Sequence, residues 1–229
     1  YRFRASLYEK LAPGLGTAVS GYYTRAGGFF ENLATGRKCD WERFGGGRWR
    51  TQWRNGKGLR LDNSLSFSVL EQGGYPYAYA GEEIVRDGQT VIRPGEIRYN
   101  DPSGYRRTTL SDGLTLRYDA AAFSVSSITS YQYSDDAMTL DQDFLPLSYF
   151  TLRQARTEHA LTEDLVFRSR DDRSYRWLFG VFGFYRHATM SAPVVFKQTG
   201  IEELILANAN AHDGLYTYSW DDTELPLAS

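Results

Sequence analysis

Between Leu59 and Val69 the chain alternates. Leu59, Leu61, Leu65, Phe67 and Val69 share one parity, interrupted only by Asn63, while Arg60, Asp62, Ser64, Ser66 and Ser68 take the other. A period of two sends successive side chains to opposite faces of a pleated strand. Sustained over about eleven residues, it predicts a strand long enough to cross a hydrocarbon layer at a tilt, where soluble strands average about half that length. The pattern recurs over Thr108–Tyr118, Phe123–Tyr133 and Gly45–Arg54, the last with Trp49 and Trp53 opposing Arg48, Arg50, Gln52 and Arg54. Weaker alternation predicts strands over Tyr1–Leu11, Thr17–Ala26, Thr157–Arg168 and Trp177–His187. Glu163 falls on the apolar parity of its strand, and Trp177–His187 is apolar on both faces.

The connections between these strands fall into two classes that alternate. Ala12–Gly16, Asn55–Gly58, Asp119–Ala121 and Ser169–Tyr175 are short, with Pro, Gly, Asn and Asp suited to hairpin turns. Gly27–Trp41, Gln72–Arg107, Ser134–Arg156 and everything after Ala188 are long. Outer-membrane barrels keep short turns on the periplasmic side and long loops outside. A compact soluble domain seldom carries structureless loops of roughly 20–35 residues. The expected fold is therefore all-β: an antiparallel up-and-down transmembrane β-barrel segment of about eight strands from a larger barrel. Its polar parity would face the lumen and its apolar parity the lipid.

Composition adjusts this picture without overturning it. Mean hydropathy is −0.49 and no apolar run reaches the length of a spanning helix, which barrel strands do not need. Aromatic residues reach 15%, as expected of a barrel with interfacial girdles, in which Trp41, Trp49, Trp53 and Trp177 would sit. A net charge of −2 offers no basic field for nucleic acid. Cys39 is the only cysteine, so no internal disulfide or thiolate metal cage can form.

No catalytic constellation is present, and no cofactor or metal site is expected. His159, His187 and His212 lie apart and outside any metal-ligand motif, although a loop histidine such as His212 would suit haem capture. His159 and Glu163 share a strand face about 13 Å apart, too far for a common metal. Gly45-Gly46-Gly47-Arg48 lacks the Lys-Ser/Thr of a phosphate loop and marks a close approach or a bend. Asp135-Asp136, Asp141-x-Asp143 and Asp221-Asp222 lack calcium-loop spacing. The richest candidate is the segment Gln72–Arg107. There Tyr75, Tyr77 and Tyr79 alternate ahead of Arg86, Arg93 and Arg98, so rings and guanidinium groups above a pore would hold a planar or anionic ligand. The competing reading places the rings in an interfacial girdle and the arginines on lipopolysaccharide phosphates.

Several stretches resemble the mid-barrel region of TonB-dependent receptors. They are Ser127-Ile128-Thr129-Ser130-Tyr131, the acidic Asp141-Gln142-Asp143-Phe144, Thr162–Ser169 and Trp177-Leu178-Phe179-Gly180-Val181-Phe182. Asp164 stands where that family usually has Glu, and Val166 where it usually has Arg. Gly27–Asn32 and Gly73–Tyr77 match the ends of two early strands, so the resemblance covers most of Tyr1–Ala188. The resemblance implies a barrel of about 22 strands around a plug, of which this chain would be a third. It also implies uptake of a scarce nutrient, such as an iron–siderophore complex, haem, cobalamin or a sugar. Partners would be the TonB energy-transducing complex, reached through a plug outside this chain, and outer-membrane lipid. The chain would be a fragment, since plug and terminal aromatic residue are both missing from it. Two rivals stay open: a self-standing eight-stranded barrel serving as adhesin or anchor, and a soluble ligand-binding β protein or β-rich hydrolase.

Overall fold

A computed structural model describes residues 1–170 and 174–207. In chain order its elements are β1 (Arg2–Ala12), β2 (Leu15–Ala26), β3 (Glu31–Asn32), β4 (Arg37–Lys38), β5 (Glu42–Arg54), β6 (Leu59–Gln72) and β7 (Ile84–Arg86). There follow β8 (Gln89–Ile92), β9 (Gly104–Asp119), β10 (Phe123–Asp141), β11 (Phe150–Ser169), β12 (Leu178–Ser191), β13 (Val194–Phe196) and α1 (Gln198–Gly200), which runs on as a π-helical turn, Ile201–Leu206. The eight long strands form one antiparallel sheet in the order β1-β2-β5-β6-β9-β10-β11-β12, each paired with its neighbour along the chain. All eight strands expected from alternation are present. The sheet is an up-and-down segment of barrel wall.

The short turns follow from local chemistry. Pro13-Gly14 joins β1 to β2, with Gly14 at φ +77 as the second turn residue requires. The Asn55 side chain accepts hydrogen bonds from the Lys57 and Leu59 N–H groups, at 2.7 and 3.0 Å, and so closes the β5–β6 turn. Ser169 closes the last hairpin, its hydroxyl accepting the Trp177 N–H at 2.9 Å.

One expectation is corrected. Ser134–Arg156 is not a long loop: β10 continues to Asp141 and β11 begins at Phe150, leaving residues 142–149 as the connection. The ladder runs on without a break through Asp136↔Arg156 and Met138↔Gln154. The strands go unseen in the sequence because the parity that was apolar turns polar beyond Tyr133, at Asp135, Thr139, Thr151 and Arg153. At 19 and 20 residues they are roughly 65 Å long, about twice what a hydrocarbon core needs.

Register carries each parity across the whole sheet. Leu7, Val19, Trp49 and Leu65 form one apolar row; Leu59, Tyr118, Val125, Phe167 and Phe179 form another. Glu163 does lie on this apolar face, where the Ser127 and Thr129 hydroxyls donate to it at 2.6 and 2.5 Å. Asn63, a second exception, donates at 2.8 Å to Asp112, a third on the same face. The sheet is a single layer. Among the described residues, no apolar side chain of its eight strands is buried except Leu140, at the far end of β10; the others, such as Ile92, Ile97, Tyr99 and Ile201, all lie in the loops.

The glycine run in β5 has a local reason. A Cβ on Gly46 would stand 2.4 Å from the Phe67 carbonyl oxygen and 2.8 Å from the Tyr22 hydroxyl, because the Tyr22 ring crosses from β2 over this strand. We expect Gly46→Ala to destabilise the sheet by about 1–3 kcal/mol, whereas Gly113→Ala, with open space around its Cβ, is tolerated. The shift in the temperature at which the detergent-purified protein unfolds on a gel measures both.

Candidate functional site

The three segments joining long strands at one end of the sheet are welded into a cap. In the first, Gly28 adopts φ +85, and a Cβ there would meet the Asp40 carboxylate at 2.4 Å. That carboxylate accepts the Phe29 N–H at 2.9 Å and the Phe30 N–H at 3.0 Å, folding the segment back on itself around the β3–β4 hairpin. Asn32, only 1% exposed, then joins this segment to the next. Its amide donates to the Tyr99 carbonyl at 2.8 Å, and its own side-chain oxygen accepts the Ala34 N–H. Cys39 packs with Ile97 and Tyr99 in a small core at this junction; burial pushes its thiol up, so it is an inert apolar group.

The second segment is tied to the third and to the chain beyond β12. Asn100 donates to the Ser148 hydroxyl at 3.0 Å, and the Asp101 N–H donates to Asp141 at 2.8 Å. Lys197 pairs with Asp101. Arg86, at the end of β7, donates to Glu203 at 2.8 Å, and the Tyr149 hydroxyl donates to the same carboxylate at 2.8 Å. Arg86 first, then Tyr149, hold the Glu203 carboxyl below its ordinary value.

A cavity of about 420 Å³ opens between the first two segments. Its wall combines Arg37, Lys38 and Trp41 from the first with Tyr99, Asn100 and Ser103 from the second. Lys38 is engaged by the Phe29 carbonyl at 2.9 Å, and the Arg43 guanidinium stacks on the Trp41 ring at 5.1 Å. Such a pocket suits a small ligand with a flat or apolar body and anionic oxygens.

Of the expected ligand residues, Tyr75, Tyr77, Tyr79, Arg86, Arg93 and Arg98 all lie outside its wall. Tyr75 and Tyr77 stack at 6.1 Å, and Tyr77 meets Phe144 edge-on at 5.0 Å, forming an aromatic shelf with Tyr77 60% exposed. Tyr79 is held through its backbone by Glu96 and Gly95. The arginines are already paired: Arg86 with Glu203, Arg93 with Glu83 at 3.2 Å, and Arg98 with Glu96 at 3.5 Å. His212 and Asp221-Asp222 lie outside the described residues. Trp41 belongs to the cavity wall and not to a girdle of the sheet. Arg37, Lys38, Asn100 and Ser103 carry no motif, and only the folded loops bring them together. His159 and His187 are direct cross-strand partners on the apolar face, with His159 also 2.9 Å from the Tyr131 hydroxyl. Among the described residues no cluster of three or more metal-ligating groups forms.

Behind the cavity, Asp141 is 0% exposed and faces Asp143 and Asp101. Burial, and then the charge of Asp143, push its carboxyl up to about 7.

Comparison with known proteins gives one informative result. No protein-family model matches the chain, and no curated protein matches it significantly in sequence. A solved structure does: the ferric yersiniabactin uptake receptor FyuA from Yersinia pestis, with a TM-score of 0.67 and 16% identity. The match covers 86% of this chain and 30% of that receptor. The two share a fold, and this chain spans under a third of the receptor's length.

Two outcomes follow for the cap. Asn32→Ala leaves the Tyr99 carbonyl without its buried donor and is expected to cost about 1–3 kcal/mol locally, read as faster amide exchange in residues 29–39. Asp141 keeps its proton to about pH 7 in the folded cap but loses it near 4 once the cap opens, so the cap weakens as pH rises from about 4 to 7 and is level above that. Asp141→Asn removes the Asp141 share of this dependence and protects residues 97–103 better than the wild type at pH 8; exchange measured at pH 5 and pH 8 decides.

Proposed function

We propose that this chain is part of the wall of a TonB-dependent outer-membrane receptor that takes up a scarce nutrient, most specifically an iron–siderophore complex. The observation that carries the reading is the single-layered sheet itself. One face is a broad apolar surface that none of the described residues covers, the other bears arginine and serine, and one end carries the long, folded loops. Lipid is the medium that satisfies the first face, and a polar lumen the second. The sharing of a fold with a ferric-siderophore uptake receptor supports the same assignment.

In this reading the cap faces outward and captures ligand. Trp41 and the Tyr75–Tyr77 shelf offer flat surfaces, and Arg37 and Lys38 offer charge to an anionic chelate. The chain performs no covalent chemistry. Release into the lumen follows when the TonB energy-transducing complex pulls on a plug, and lipopolysaccharide and lipid surround the outer face. The edges bear on the rival small barrel: among the described residues β1 pairs only with β2 and β12 only with β11, so these eight strands do not close on themselves.

Two measurements test the proposal. The protein should fractionate with the outer membrane, and a deletion strain should lose growth on a single ferric siderophore as iron source, with restoration only when TonB is intact. Recovery of folded protein from the soluble fraction, or growth independent of TonB, overturns it. Trp41→Ala with Arg37→Gln should weaken ligand binding about tenfold or more while leaving the protein in the membrane.

A further inference from the structure

The polar face of the sheet is not uniform. Across β1, β2, β5, β6 and β9, four consecutive rows of that face carry no carboxylate: they run from Tyr8↔Ala18↔Arg50 to Arg2↔Thr24↔Phe44. Those rows hold Arg2, Arg4, Arg48, Arg50 and Arg107, and between them hydroxyl side chains. On the same face acidic residues return only outside this panel, at Glu42, Asp62 and Asp119, and at Asp136, Glu158 and Asp164 on β10 and β11, where Glu158 is already taken by Arg156 and Arg186.

A groove of about 440 Å³ lies in the panel, between Arg4 and Arg48. Ser6, Ser20, Ser66 and Thr109 line it, and the Tyr22 ring closes one side. Neither arginine has an ion pair or side-chain hydrogen bond among the described residues. The groove floor is backbone at β5 because Gly46 stands there on the polar face, and it admits no Cβ beneath the Tyr22 hydroxyl. Two unpaired guanidinium forks flanked by hydroxyl donors, with no acid in the same rows of these five strands, form a recognition surface for oxyanions.

We infer that this groove is a binding station for a small molecule bearing two or more oxyanion groups, on the inner wall of the barrel and separate from the cap cavity. The inference rests on the receptor reading for its location only; the chemistry belongs to the groove. Carboxylate and phosphate oxygens present the same acceptor geometry to arginine, so citrate and pyrophosphate are the two probes.

The full-length protein, purified in detergent, is titrated calorimetrically with each anion at low and high salt. We expect at least one to bind, with an affinity that falls as salt rises, and Arg4→Gln with Arg48→Gln to weaken it roughly tenfold or more. Removing the same charge from the other face, by Arg25→Gln with Arg106→Gln, should leave binding unchanged. Tighter binding of citrate identifies a polycarboxylate station, and tighter binding of pyrophosphate a phosphate station. Failure of both anions to bind the wild type overturns the inference; that is also the result if an acidic polypeptide segment fills the groove. Equal binding by wild type and the Arg4/Arg48 variant overturns it as well. Growth on ferric siderophore is scored separately: a protein that imports iron but binds neither anion loses only this inference, and one that binds anions outside the outer membrane loses only the receptor assignment.

Discussion

The backbone ladder between antiparallel strands is the one interaction on which everything else here depends. Ordinary domains bury a hydrophobic face between two layers, and the core so formed holds the elements in place. This sheet has one layer and leaves every residue of β1 and β12 exposed, so its eight strands are joined only through neighbouring hydrogen bonds and same-face side-chain pairs. In water such a sheet would present an apolar surface too large to be tolerated. In a hydrocarbon layer the same ladder becomes obligatory, because an unpaired N–H or carbonyl finds no water to bond. On the proposed receptor reading, the medium supplies what a second layer supplies elsewhere.

That arrangement moves the packed interior to one end. Beyond the apolar band β10 and β11 keep pairing as a polar ribbon, and they carry Asp141 and Tyr149 out to where the loops meet. There the chain finds enough backbone to build a small core, around Cys39, Ile97 and Tyr99, and to bury Ile92, Leu140 and Ile201. The cap is thus a folded structure with its own buried polar links, Asn32 to Tyr99 and Asp101 to Asp141, standing on a wall with no core of its own. A preformed cavity follows from that, since its lining belongs to segments already fixed to each other.

Legibility in the sequence tracks the same division. The strands could be read because one face had to be apolar, and Leu59–Val69 writes that demand in plain alternation. The outer parts of β10 and β11 could not be read, because once both faces meet water the period vanishes while the ladder persists. Arg86, Arg93 and Arg98 were legible as an arginine-rich loop, but their pairing with Glu203, Glu83 and Glu96 depends on contacts up to 117 residues apart. Trp41 looked like one more interfacial ring. Only the fold of residues 27–41 against 97–103 turns it toward a cavity.

The polar residues on the apolar face obey the same constraint from the other side. A lone carboxylate at mid-height of a hydrocarbon layer costs on the order of 3 kcal/mol. Glu163 answers with the Ser127 and Thr129 hydroxyls, and Asp112 with the Asn63 amide, each from the adjoining strand. Asn63 and Glu163 interrupt the alternation in the sequence, and both are members of cross-strand hydrogen bonds in the structure. Register makes these pairs possible, since Thr129 faces Glu163 and Leu65 faces Asp112 directly. A slip of one residue would break both pairs and turn Glu163 to the opposite face with its whole strand. The polar exceptions therefore help to fix the register that the apolar rows require.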